Sequence, residues 1–140
     1  MIPIKQEHYF TTLINNPALT AEMRAAADLL LIRVNTLLAR AERDGVPMTI
    51  NPKTGSLISG NGAGGWRLPN ATVGAPMSSH KEGRGIDIYD PHDGAMDHWC
   101  MQNQVDLVEI GLYMEHPAAT PGWCHLTTRA PGSGSRVFYP

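Results

Sequence analysis

Between Ala21 and Gly45 the apolar residues Met23, Ala27, Leu30, Val34, Leu37, Leu38 and Ala41 recur with helical spacing. That pattern predicts a long amphipathic helix with one apolar stripe. Thr20 with Glu22 behind it, or Asn16 followed by Pro17, offers a start signal, and Gly45 a stop. Arg40 and Arg43 lie near the carbonyl end, where the helix dipole favours cations. Upstream, residues 4–14 predict a short helix, broken by Asn15–Pro17. Downstream, Val46–Ile50 reads as a short strand. Residues 51–79 are rich in Gly, Asn, Pro and Ser and predict a long irregular loop whose two large residues are Trp66 and Arg67. A loop of that length in a small domain tends to be functional.

Beyond the loop, "GIDIYD" (Gly85–Asp90) alternates apolar and polar residues and reads as a strand. "DPHDG" turns the chain into a second helix, from about Ala95 to Ile110, that Gly111 ends. "LYME" and "WCHLTT" read as two strands of a hairpin joined by "HPAATPG", and the tail "APGSGSRVFYP" as a loop followed by a short strand. The order predicts an α+β fold, with a small antiparallel sheet and helices packed on one side. No internal repeat is present, and "GSGS" at Gly132–Ser135 is too short to separate domains, so residues 1–140 are expected to form a single domain.

Charge narrows the range of partners. The formal net charge is -2, and there is no basic excess to suggest a nucleic-acid or anionic-membrane partner. The longest apolar run, Leu29–Ile32, is far too short to span a bilayer. The start, "MIPIKQEHYF", has no basic segment leading into an apolar one, so synthesis in the cytoplasm without a signal peptide is expected. A monomer is expected. The two cysteines, Cys100 and Cys124, do not make a disulfide framework and are expected to be free thiols.

The stretch "SSHKEGRGIDIYD" (Ser78–Asp90) raises the question of chemistry. His80 and Asp87 lie seven residues apart, and a turn at Gly83 and Gly85 would let both side chains converge on one point. A catalytic zinc takes three protein ligands and keeps a fourth position for water, and two imidazoles with one carboxylate suffice. His125, in the strand "WCHLTT", is the best candidate for the third ligand. His8, His92, His98 and His116 read as ordinary solvated or hydrogen-bonded histidines. The cluster Asp90, His92, Asp93, Asp97 and His98 lacks the spacing of a calcium-binding loop, and Asp93 or Asp97 capping the following helix explains it more simply.

"SSHKEGRGIDIYD" resembles the S-x-H-x-x-G-x-A-x-D signature of zinc D-Ala-D-Ala carboxypeptidases and L-alanyl-D-glutamate peptidases, which have the hedgehog/DD-peptidase fold. Ser78, His80, Gly83 and Asp87 match, and Gly85 stands where alanine is usual. Upstream, "GGWRLPN" resembles the S-G-[WY]-R-x-P segment of that family, with Gly64 in place of serine and with Arg67 and Pro69 matching. Downstream, "GLYMEHPAATPGWCHL" resembles the G-L-[WY]-x-E…T-x-G-W-x-H stretch of phage-type and bacterial members, and "SRVFYP" their C-terminal end. The likeness covers about residues 28–140, with separate motifs in the family's order.

The resemblance implies one zinc ion held by His80, Asp87 and His125. It implies Arg67 as the group that binds or polarises a substrate carboxylate or carbonyl, with Ser78 and Trp123 near the substrate. The implied activity is hydrolysis of amide bonds in peptidoglycan stem peptides, as an endolysin-like endopeptidase or a D,D-carboxypeptidase. The implied place of action is the bacterial cell wall, after holin-type release or as part of a phage particle. Relatives carry the general base as a glutamate three residues before the last histidine ligand or a histidine two before, and this chain has Gly122 and Trp123 there. If "LYME" and "WCH" pair, Glu115 falls roughly opposite Trp123, and side chains two apart on a strand share a face. Glu115, Trp123 and His125 would then share the active face, with Cys124 pointing away. Glu115 is therefore the candidate base and His116 its runner-up. A non-catalytic zinc-containing binding or virion structural module of the same fold is the alternative, and a cytoplasmic dipeptidase acting on D-Ala-D-Ala a third reading.

Overall fold

The computed structural model describes residues 1–140 as a mixed α and β fold with four α-helices and a four-stranded sheet. The predicted long helix is α2, Ala21–Arg43, and Thr20 caps it by accepting a hydrogen bond from the Met23 N–H at 3.1 Å. The helix ends as its sequence suggests. Gly45 has φ 98°, and the Gly45 and Val46 N–H groups return to the Glu42 and Ala41 carbonyls. The predicted apolar stripe is buried apart from the half-buried Met23. The first helix is shorter than predicted. α1 covers Gln6–Phe10, Thr11 turns to φ 52°, and a 3-10 turn follows at Thr11–Leu13.

Three further elements depart from the sequence reading. Val46–Ile50 forms no strand: Pro47 has no N–H to donate, and the edge of the sheet nearby is met instead by Ile58, which forms a bridge with Ile88. The second predicted helix is split at Asn103 (φ -125°, ψ 44°) into α3, Ala95–Gln102, and α4, Gln104–Ile110. The capping residue of α3 is Asp90, not Asp93 or Asp97. Its two carboxylate oxygens accept from the Met96 and Asp97 N–H groups at 2.9 and 3.0 Å.

The strands are β1 (Gly85–Tyr89), β2 (Tyr113–Glu115), β3 (Trp123–Thr127) and β4 (Val137–Phe138), in the order β1-β3-β2-β4. β3 is antiparallel to both neighbours, as predicted for the hairpin, but β4 runs parallel to β2, so the sheet is not wholly antiparallel. Alternation along the strands separates two faces. Ile86, Ile88, Met114, Cys124 and Leu126 join Leu30, Leu37, Leu38 and Leu107 in one buried core. Asp87, Glu115, His125 and Thr127 point the other way and line a cleft. Both cysteines are free and buried. No helix is long and apolar enough to cross a membrane.

The irregular segment 51–79 is irregular yet fastened into the core. Leu57, Ile58 and Trp66 are buried, and the Asp87 N–H donates to the Gly64 carbonyl at 2.8 Å. Glycine is required where this segment passes other backbone. A Cβ at Gly65 would lie 2.2 Å from the Tyr9 carbonyl oxygen, and one at Gly64 would lie 2.4 Å from that of Ser59.

Candidate metal centre

His80 sits in a 3-10 turn, Ser79–Glu82, entered through Ser78 and left through Gly83 at φ 75°. The Ser78 hydroxyl oxygen accepts from the His80 N–H at 3.2 Å. The ring is buried, and its Nδ1 lies 2.8 Å from the Gly65 carbonyl. A carbonyl can only accept, so Nδ1 carries a hydrogen, and Nε2 is the nitrogen turned towards Asp87 and the one a metal would take. Asp87 lies in the middle of β1, directly across from His125 on β3. The turn at 79–83 brings His80 to the same point from the end of β1. Gly85, where the resembled family has alanine, has a local cause: a Cβ there would stand 2.2 Å from the Ser79 hydroxyl oxygen.

The three candidate ligands meet. Asp87 Oδ1 is 3.2 Å from His80 Nε2 and 2.8 Å from His125 Nδ1. One ligand atom from each residue lies within 4.8 Å of the others, and all three side chains are largely buried. Tetrahedral bonds of about 2.0–2.2 Å to nitrogen and oxygen put neighbouring ligand atoms roughly 3.3 Å apart, so the triad is close enough to bind a metal ion. The electrostatics agree with an ionised carboxylate. Burial alone would push the Asp87 carboxyl up, but hydrogen bonds with His125 and His80 outweigh it and hold it well below the usual range.

The outer partners of the triad are visible as well. His125 Nε2 faces the Ser79 hydroxyl at 3.5 Å and Glu115 Oε1 at 3.9 Å. Phe138 of β4 meets the His125 ring edge to face at 6.5 Å. Arg67 is tied down on all three of its nitrogens: Nε donates to the Ala63 carbonyl at 2.7 Å, Nη1 to that of Val73 at 3.5 Å, and Nη2 to Asp87 Oδ2 at 3.4 Å. Beneath the site, the buried Tyr9 hydroxyl donates to the Gly85 carbonyl at 2.8 Å. Its pKa is raised by burial and by the nearby Asp87 charge, so it stays protonated.

The cleft above the triad has a volume of about 450 Å³. Glu115, Trp123, Ser78 and Arg67, all singled out in the sequence, line it together with the three candidate ligands. Glu115 stands two positions along β3 from its predicted place, which keeps it on the predicted face. The register Tyr113↔Thr127 and Met114↔Leu126 continues to Glu115 opposite His125, not Trp123. His116 takes no part in the triad. It caps a 3-10 turn, accepting from the Ala118 N–H at 3.1 Å, and stacks on Tyr139 with ring centroids 4.6 Å apart. Sequence reasoning missed Ser79, the Gly65 carbonyl, Phe138 and Arg129. Only Ser79, next to His80, gave a local signal; the others reach the cleft through tertiary folding.

A second hollow, of about 460 Å³, is lined by Asp90, Asp93, Asp97 and His98. It gathers no metal-binding group of its own: Asp90 is engaged in capping α3, and Asp97 accepts from the Thr120 hydroxyl at 2.9 Å. Comparison with protein-family models, with curated proteins and with solved structures returns no match to this chain.

Proposed function

We propose that the protein is a zinc-dependent peptidase of the hedgehog/DD-peptidase fold, hydrolysing amide bonds in peptidoglycan stem peptides as an endopeptidase or a D,D-carboxypeptidase. The observation that carries this reading is the convergence of His80, Asp87 and His125 at the floor of an open cleft, from a turn and two strands far apart in sequence. The two nitrogens and one oxygen are a donor set that suits zinc and leaves a coordination position open. The resemblance of the motifs around Arg67, His80 and His125 to zinc peptidoglycan peptidases supplies the substrate class. The bacterial cell wall is accordingly the place of action, reached by holin-type release or within a phage particle.

Zinc in such a site lowers the pKa of water towards about 7 and polarises a carbonyl. The remaining tasks fall to side chains of this protein. Glu115 is the carboxylate in the cleft beside the triad, suited to take a proton from water and return it to the leaving amine. Asp87 and the two imidazoles hold the metal, and Gly65 and Ser79 fix the rings that present it. Arg67 fixes Asp87 from its other oxygen. Trp123 and Ser78 offer the substrate an apolar wall and a hydroxyl. Digestion of purified muropeptides, followed by mass spectrometry with and without a chelator, tests the reading. One zinc per chain and chelator-sensitive cleavage of an amide bond are expected. Zinc bound with no stem peptide cut at any pH would overturn it.

That negative result would favour a non-catalytic zinc-containing binding or virion structural module of the same fold. One observation points that way: Gly122 and Trp123 occupy the positions where the resembled enzymes keep their base.

A further inference from the structure

The cleft holds a second arginine that the motifs do not account for. Arg129 lies just past β3, continuing the series His125 and Thr127, and lines the same cleft as the metal triad. Its side chain is oriented from one end only. Nη1 donates to the Met77 carbonyl at 2.8 Å and to Glu82 Oε1 at 2.6 Å, which uses both of its hydrogens. Nε and Nη2 make no hydrogen bond within the protein. The guanidinium therefore presents a fixed, unfilled edge of the kind that grips a carboxylate with two parallel hydrogen bonds. Arg67 presents the opposite picture, since every one of its nitrogens has an acceptor in the protein and one of them is the ligand Asp87.

The charge around Arg129 supports the same division of labour. Its only acidic partner is Glu82, whose side chain is 47% exposed, so water screens that pair. The other acidic groups of the cleft, Asp87 and Glu115, lie against His125. With a divalent cation in place, the Arg129 side of the cleft favours an anion. Trp123, Phe138 and Pro140 make other parts of the wall apolar. A peptide with a carboxylate near the bond presented to the triad matches both features.

We propose that Arg129 is a specificity-determining residue that reads a carboxylate of the substrate, while Arg67 is a positioning residue for Asp87. The proposal rests on the peptidase reading for the identity of the cleft, and it narrows the substrate to peptides bearing a free carboxylate next to the reacting amide. That carboxylate could be a terminal α-carboxylate or an acidic side chain.

The test uses the zinc-loaded full chain and six N-acetyl peptides. N-acetyl-alanyl-alanine, of both chiralities, is compared as free acid and as C-terminal amide. N-acetyl-glutamyl-alanine amide is compared with its glutaminyl counterpart. Affinity is read by calorimetry, and cleavage is followed in the same samples by mass spectrometry. Wild type is expected to favour a carboxylate-bearing peptide over its amide. R129A should weaken that peptide about 10- to 100-fold and leave the amide unchanged, as expected for losing a charge-assisted pair. R129K, which keeps the charge without the fork, should fall between. R67A should lower zinc affinity without changing the acid-to-amide ratio. A preference confined to the free terminus identifies the α-carboxylate, and one confined to glutamyl identifies the side chain; either supports the proposal. Equal binding of acid and amide by wild type, no binding of any of the six, or equal weakening of both by R129A overturns it. Arg129-dependent binding with no cleavage would instead overturn the peptidase reading and leave this one standing. Cleavage without acid-to-amide discrimination would do the reverse.

Discussion

At the scale of single residues the site separates three groups placed to hold a metal from a carboxylate that stands beside them. His80, Asp87 and His125 are buried and touch one another, so truncating any of them leaves unpaired polar atoms as well as one ligand fewer. His80→Ala and Asp87→Ala are expected to lose bound zinc and activity together, measured by metal content and muropeptide cleavage on the same samples. Glu115 contacts the triad only at 3.9 Å, through the outer nitrogen of His125. Glu115→Gln should therefore keep one zinc per chain and lose turnover by about 10²–10⁴-fold, the usual contribution of a general base. Full turnover in that variant would remove Glu115 from the mechanism. The triad itself was legible because His80 and Asp87 lie in one short motif and His125 follows a Gly-Trp pair that resembles the family's. The partner of Arg67 was not, because the approach of Nη2 to Asp87 depends on how the segment 51–79 folds over β1, and an irregular segment carries no periodicity to read.

At the scale of elements, what could be read follows how local the determining interaction is. α2 carries its own stripe, cap and glycine stop, and the structure differs from the pattern by hardly a residue. Val46–Ile50 has strand-like composition but no backbone partner, and a strand exists only where a neighbour takes its hydrogen bonds. The break at Asn103 escaped notice because residues on both sides of it suit a helix. There the Asn103 side chain donates back to the Trp99 carbonyl at 2.8 Å, competing with the regular ladder. The parallel pairing of β4 with β2 is a long-range choice that two residues cannot announce. Asp90 illustrates the same limit: the pattern points to Asp93 or Asp97 as the cap, but the cap is Asp90, just past the end of β1, six and seven residues before its partners. Asp90→Ala should lower stability by about 1–2 kcal/mol, the usual worth of a helix cap, seen as a lower unfolding midpoint in urea with zinc content unchanged.

The stretch after that cap also sets a pH response. The carboxyl of Asp97 is pushed up to about 6, chiefly by burial and further by the Asp90 and Glu115 charges, against the pull of hydrogen bonds from Thr120 and Cys124. A carboxyl that binds its proton more tightly in the folded than in the unfolded chain favours folding below its unfolded pKa. That advantage fades as pH rises through the window from about 4 to 6. Asp97→Asn cannot lose a proton, so relative to wild type it should gain stability as pH goes from 4 to 7. Urea midpoints of the two proteins, compared at each pH and at fixed zinc, check this. A constant difference across the range would mean that the Asp97 carboxyl is not raised by folding.

For the whole molecule, the decisive feature is that the triad joins the irregular segment to the paired strands β1 and β3 at one point. His80 comes from a 3-10 turn at the end of the irregular segment, Asp87 from β1 and His125 from β3. The irregular segment itself is attached through a few backbone hydrogen bonds, including Gly64 with Asp87 and Arg67 with His80. A cation bound by all three residues closes these connections at one point, and it binds the folded chain in preference to the unfolded one. Free zinc at about 1,000 times its Kd would then add about 4 kcal/mol of stability. For a chain of this size that corresponds to a rise in Tm of roughly 14 °C. Adding a chelator to the zinc-loaded protein should reverse the rise, and His125→Ala should show no response to zinc at all. Hydrogen exchange would locate the effect: slowed amides should cluster at 57–67, 79–87 and 123–127, whereas α2, with its own caps and buried stripe, should change little. An unchanged Tm with and without zinc, together with no shift in exchange at those segments, would mean that the three side chains hold no ion in solution, and the peptidase reading would fall with it.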